Sequence, residues 1–189
     1  MPYSAEHKAR TRTRILNAAT QLFRRDGFAQ TGVDTLMAEA GLTRGGFYAH
    51  FRDKIDLFVH ALHAAFDEAQ QNLLARGLDG LQGKAWRVAA TRRYLNLNHR
   101  MHAAMGCAIP SLGAEIARAP REVRRIFAKR FEMLIGSMAE RLEGDPATAR
   151  REAIALLSQW VGAMVIARAV PDRELAQEIL EALQDERDG

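Results

Sequence analysis

The sequence predicts an all-α fold of about nine helices. Three observations carry that prediction. Apolar residues recur with a helical period in every long segment, no stretch alternates in the manner of a strand, and the breaks fall at glycine, proline and capping residues. The chain has 189 residues, 48% apolar and 26% charged, which is ample material for a core. A single cysteine rules out an intrachain disulfide framework and suits a reducing cytoplasm. No signal peptide and no 18-residue apolar run is read, so neither export nor a membrane span is expected.

The elements follow in order. Residues 1–9 read as disordered. A basic arm, Lys8, Arg10, Arg12 and Arg14, leads into a helix running to about Arg25, with Ile15, Ala19, Leu22 and Phe23 as its buried stripe. That arm is either a phosphate contact or a solvated charged end. Gly27 ends the helix. Val33, Leu36, Met37 and Ala40 then take the i, i+3, i+4, i+7 positions of one helix face. Gly41 stops that helix, Leu42 plugs the core and Thr43 is an N-cap for a second short helix. Phe47 and Phe51 lie four apart on its inner face, leaving Arg44 and Tyr48 outside. Two short helices joined by a glycine turn outline a helix-turn-helix, whose second helix enters the DNA major groove. A helix capped by Asp53 follows to about Ala75, then a loop at 76–83 marked by Gly77, Gly80 and Gly83. Further helices are expected at 84–101, 110–118, 120–142, 147–169 and 172–185. Residues 147–169 are apolar around most of the circumference.

Charge follows the same division. Residues 1–60 hold nine Lys/Arg against six Asp/Glu, whereas residues 61–189 hold eighteen against seventeen. The excess sits beside the helix-turn-helix, as phosphate binding requires, although a solvated basic surface has the same composition. The expected domains are 1–58 for the helix-turn-helix and 59–189 for ligand sensing and dimerisation.

Thr43-Arg-Gly-Gly-Phe-Tyr-Ala-His-Phe-Arg-Asp-Lys54 resembles the recognition-helix signature of the TetR family of transcriptional repressors. Gly27-Phe28, Thr31 and Ala40-Gly41-Leu42-Thr43 also fall where that family has its Gly-aromatic, Thr and Ala-Gly-Val-Ser. The resemblance covers roughly residues 10–58. It implies a cytoplasmic homodimer that binds a pseudo-palindromic double-stranded operator and is released by an effector. Carried over by position, Thr31, Thr43, Arg44, Gly45, Gly46, Tyr48, His50 and Lys54 are expected at the DNA. Arg44 is the candidate for a base edge, because a guanidinium binds guanine bidentately. Tyr48 and Lys54 are candidates for phosphate contacts that set register. Gly46 stands where Thr, Ser or Ala is usual, which puts one phosphate contact in doubt. Dimerisation is expected through the helices near 147–169 and 172–185, and the rod from Asp53 to Ala75 is expected to be the one strong link between head and body.

Sites for other chemistry are sparse. His60/His63 and His99/His102 are i, i+3 pairs, but no Glu-x-x-His pattern accompanies them, so no metal is expected. The three loop glycines precede no GK[ST] and hold no phosphate. No cofactor and no enzymatic activity are expected. The cavity expected among the body helices has Trp86, Met101, Cys107, Phe127, Phe131, Trp160 and Met164 as candidate linings, each equally at home in a plain core. Cys107, in Gly106-Cys-Ala-Ile-Pro-Ser-Leu-Gly-Ala-Glu115, is similar to a Gly-Cys segment of an electrophile- and oxidant-responsive branch of the family. Two readings stay open for it: a thiolate favoured by the N-terminus of the following helix, and a small buried hydrophobe. The effector is correspondingly a small molecule or an electrophile.

Overall fold

The computed structural model describes residues 5–184 and is helical throughout, with no strand among the described residues. The head comprises α1 (Ala5–Asp26), α2 (Val33–Glu39), a recognition segment (Arg44–Ala49) and α3 (Lys54–Ala69). The body comprises α4 (Gly83–Tyr94), α5 (Leu97–Met101), α6 (Ala108–Ala117), α7 (Arg121–Ala139), α8 (Pro146–Ala169) and α9 (Arg173–Glu181). Residues 5–9, expected to be disordered, are the first turns of α1, so the basic arm is part of a rigid rod. The remainder of that expectation, residues 1–4, lies outside the described residues, as does residue 185 of the last predicted helix.

Capping explains most of the boundaries. Asp53, Asp145 and Asp172 each accept an amide of the first turn that follows: Asp56 N at 2.8 Å, Ala147 N at 3.0 Å and Leu175 N at 2.7 Å. Pro146 occupies the first turn of α8, where a missing N–H is harmless. Gly41 sits at φ +65° and turns α2 into the recognition segment. Two expected helices are broken. The helix predicted at 84–101 divides at Leu95–Asn96, because the Asn96 side chain accepts from His99 N and starts α5 afresh. The rod predicted to Ala75 passes at Gln70 into a π-helical turn (Gln70–Ala75).

Two apolar clusters form. One gathers Ile15, Leu22, Phe23, Leu36, Met37, Phe47, Phe51 and Phe58 of the head. It does not stop near residue 58: it continues along α3 to Ala65 and takes in Ala108, Leu112 and Ile116 of α6 and Val123 of α7. The other gathers Phe66, Trp86, Tyr94, Cys107, Leu134, Leu157, Trp160 and Met164 of the body. Phe127 packs against both.

The rod α3 is therefore not the one link between head and body. From α1, Arg24 is buried and donates to Gly106 O at 2.9 Å, while its Nη2 pairs with Glu68 at 2.6 Å. From α6, the Glu115 carboxylate accepts the amides of Phe28 and Ala29 at 2.8 and 2.9 Å. Sequence periodicity records neither contact, since both join residues more than eighty positions apart.

The helix α8 packs against α7, α9 and α6 but leaves a face open. No charged residue stands between Glu152 and Arg168. Ile154, Val165 and Ile166 are exposed there, and Leu175 and Leu183 continue the apolar surface on and beyond α9. A Cβ added at Gly162 would meet open space. The expectation of no membrane-length apolar stretch needs correcting: an 18-residue window of α8 averages a mean hydropathy of 1.2, and only 33% of it is buried. Ser158 and Gln159 interrupt the run without lowering the average below that of a span.

Candidate nucleic-acid interface

The second short helix expected after Thr43 is a 3-10 helix from Arg44 to Ala49. Thr43 holds the N-cap position, yet its side chain makes no capping bond. That leaves the hydroxyl exposed and uncommitted to the helix. The segment is held from beneath. Phe47 and Phe51 are buried, and Met37 packs under Gly46. The turn before it is fixed by Arg14, whose Nη2 donates to Ala40 O at 2.6 Å. Arg14 of the basic arm is thus committed to the frame, as is Arg12, whose guanidinium lies 4.6 Å over the Phe51 ring.

The expected DNA residues separate into three groups. Thr43, Arg44, Gly45 and Tyr48 are exposed side by side, with Tyr48 at 64% exposure although it is a large aromatic. Arg44 donates to Asp34 at 2.7 Å, with both side chains about two-thirds exposed. Such a pair is worth at most about 1 kcal/mol in water, so Arg44 can leave the carboxylate at little cost. Gly46 and His50 are half-buried. Burial, aided by the nearby charges of Lys8, Arg12 and His7, holds the His50 imidazole below its ordinary pKa, and its Nδ1 has no partner.

Thr31 and Lys54 sit otherwise than expected. Thr31 is buried and its hydroxyl donates to Gly27 O at 2.6 Å, so it braces the α1–α2 turn and offers nothing to a phosphate. Lys54 folds back over the head: its Nζ is 4.2 Å from the Phe28 ring and 3.5 Å from Ala29 O. Partial burial lowers its pKa, opposed by Glu115. One residue of this surface went unread in the sequence. His7, with Lys8 of the basic arm, lines a cavity of about 420 Å³ with Met37, Thr43, Gly46 and His50, flush against the recognition segment. The signal was the helical register of 5–9, hidden because those residues show no apolar stripe.

Most of the expected cavity linings lie in or against the body core. Trp86, Cys107, Trp160 and Met164 are sealed in the core, and Phe127 and Phe131 stack at 5.8 Å. Met101 is 64% exposed and faces away from that core, because the break at Asn96 resets the register of α5. Cys107 is the N-cap of α6, as the thiolate reading requires, but burial raises its pKa against the opposing Tyr94 and Ile109 interactions. The Tyr94 hydroxyl lies beside the thiol without a hydrogen bond of standard geometry. Around it, Cys107 N donates to His99 Nε2 at 3.0 Å, so the ring proton sits on Nδ1 and is donated to Tyr94 O at 2.7 Å. Burial lowers the His99 pKa to about 4. His102 bonds Asn98 O through Nδ1, and His60 lies 3.8 Å from Asp56.

A braced turn that presents a short helix with exposed polar and aromatic side chains, on a head joined to an all-helical body, defines a helix-turn-helix DNA-binding protein. Residues 15–61 match the family model of bacterial regulatory proteins, tetR family. The matched residues are most of the head, from Ile15 in α1 to Ala61 in α3. It is 39% identical over 72 residues to the HTH-type transcriptional repressor BepR of Brucella suis, covering 38% of this chain and 34% of that one. It is 26% identical over 172 residues to the HTH-type transcriptional repressor NemR of Escherichia coli, covering 84% of each. In fold it is similar to a TetR-family regulator from Cytophaga hutchinsonii, with a TM-score of 0.78, 18% identity and coverage of 97% and 96%. The chain spans about a third or less of the length of the curated relatives it matches at the highest identities.

Proposed function

We propose that the chain is a cytoplasmic, homodimeric transcriptional repressor that binds a pseudo-palindromic operator and is released by a small-molecule effector. The observation that carries the reading is the exposed surface Thr43, Arg44, Gly45 and Tyr48 on a turn that Arg14 holds from within. Arg44 reads a base edge. Tyr48, Thr43 and the basic end of α1 hold phosphates. The relatives named as repressors, BepR and NemR, support the direction of regulation.

Dimerisation follows from α8. An uncharged helical face with Ile154, Val165 and Ile166 exposed is covered in solution, and a second copy of the same face meets the two-fold symmetry that half-sites require. One recognition segment contacts too few base pairs for useful specificity, so DNA reading and dimerisation belong together. The same packing explains a membrane-length apolar helix without a membrane.

Selection of genomic fragments by the purified chain, with light scattering of the free protein, tests the reading. The expected result is a dimer that enriches a two-fold symmetric sequence. A monomer, or enrichment with no common sequence, overturns it.

A further inference from the structure

A second cavity, about 300 Å³, opens on the body where the π-helical turn, the end of α4 and α5 meet. Its walls include Asn72 and Leu73 of the π-turn, Arg93 of α4, His102 at the end of α5, and Met105 and Gly106 beyond it. The chemistry of this lining is one-sided. Among the described residues Arg93 and the two histidines, His99 and His102, are its titratable groups, and none of the described lining residues is a carboxylate. His99 is committed to its two backbone partners. His102 spends Nδ1 on Asn98 O, leaving Nε2. Arg93 is half-buried, and its Nη1 is shut off from solvent with no hydrogen-bond partner. Arg93 also lines the cavity, where its guanidinium is the cationic group able to pair with a charged acceptor.

The same cavity touches the contact between body and head. Gly106 lines it, and the Gly106 carbonyl accepts Arg24 of α1 at 2.9 Å. The turn Ala103–Met105 packs along α1. A side chain at position 106 would collide with the His99 ring, so this corner has no slack. Whatever enters beside Met105 and Gly106 presses on the residues that set the head.

We propose that this cavity is an effector site for a small organic carboxylate, whose anion pairs with Arg93 and whose apolar part lies against Leu73 and Met105, and whose binding alters operator affinity through Gly106 and Arg24. The coupling half rests on the reading of the chain as a repressor, and the binding half does not.

Titration calorimetry of the full chain with benzoate, and with benzamide as the uncharged isostere, tests the binding half without DNA. Benzoate binds and benzamide does not. Arg93→Gln weakens benzoate roughly tenfold or more, the effect of one lost charged hydrogen bond. Asn72→Asp, a change on the exposed turn that leaves the core untouched, weakens it by placing a negative charge at the rim. Absence of benzoate binding, equal binding of both compounds, or variants that bind like the wild type overturn the site. Addition of benzoate to the chain bound to its selected DNA fragment tests the coupling. A shift in DNA affinity that is absent in Arg93→Gln supports it, and benzoate binding with no such shift overturns it. A chain that binds no DNA contradicts the repressor reading, while the calorimetry still decides the carboxylate site.

Discussion

Two segments carry the most distinctive residue patterns in this chain, 43–54 and 106–115, and the fold treats them oppositely. In the first, the apolar residues Phe47 and Phe51 point in and the polar ones are left outside. In the second, the groups that carry chemistry are inside: Cys107 is buried, Gly106 O is held by Arg24, and Glu115 caps the amides of Phe28 and Ala29. The first segment leaves Thr43, Arg44 and Tyr48 at the surface. The second spends its own groups on joining the head to the body. A pattern of reactive residue types is therefore a site only when the fold leaves those residues unspent.

If the second segment is a joint, cutting it costs stability before it costs recognition. The largest effect is expected from Arg24→Ala, which removes a buried guanidinium from Thr20 O, Gly106 O and Glu68. The loss is on the order of 4 kcal/mol, combining a cavity with unpaired acceptors, and is read from denaturant midpoints. A loss under about 1 kcal/mol means that the joint is not made there.

The next effect concerns pH. His99 has a folded pKa of about 4 against an ordinary value of 6.5, because it is buried in its neutral form. Its contribution is complete above about pH 6.5. As pH falls from 6.5 towards 4, the unfolded chain takes up a proton that the folded ring refuses, and about 3 kcal/mol is lost. Chemical denaturation between pH 7 and pH 4 measures it, with His99→Gln as the control that removes this component of the slope. A wild-type profile matching the control would show that His99 protonates freely in the fold.

The first segment behaves in the reverse way. Arg44→Ala leaves stability within about 0.5 kcal/mol, since the pair with Asp34 is exposed. It costs about 1–3 kcal/mol in operator binding and relaxes preference at one base pair per half-site. Binding titrations on selected and random DNA check this, and an equal loss on both reassigns Arg44 to a phosphate. The smallest effect is expected at Cys107. With its thiol buried and its pKa raised, a mild electrophile leaves operator binding unchanged, and mass spectrometry finds the thiol unmodified until the chain unfolds. Release of DNA by the electrophile, lost in Cys107→Ser, would restore the thiol-sensing reading.

How far the sequence could be read follows the same division. The head was legible because its determinants are local: the stripe Val33, Leu36, Met37 and Ala40, the turn at Gly41 and the cap at Asp53 lie within a few residues of what they control. The starts of α8 and α9 were legible for the same reason, since Asp145 and Asp172 cap the turns directly after them. What stayed hidden was non-local. Arg24 reads as one more basic residue near the end of α1, Thr31 as an available hydroxyl, and Lys54 as a free cation. Each is spent on a partner that only the packed chain supplies. The break of α4 from α5 was missed because Trp86, Ala90, Leu97 and Met101 fit one helical face, whereas Asn96 acts through a single cap.

The central claim is that two copies of the exposed segment 43–54, paired through α8, read one operator. Hydroxyl-radical footprinting of the wild-type chain on its selected fragment tests it most directly. The account predicts two protected half-sites related by a two-fold axis, with centres about 34–36 Å apart or a multiple of that spacing. One asymmetric patch of protection, or protection that spreads evenly along the fragment, would contradict it.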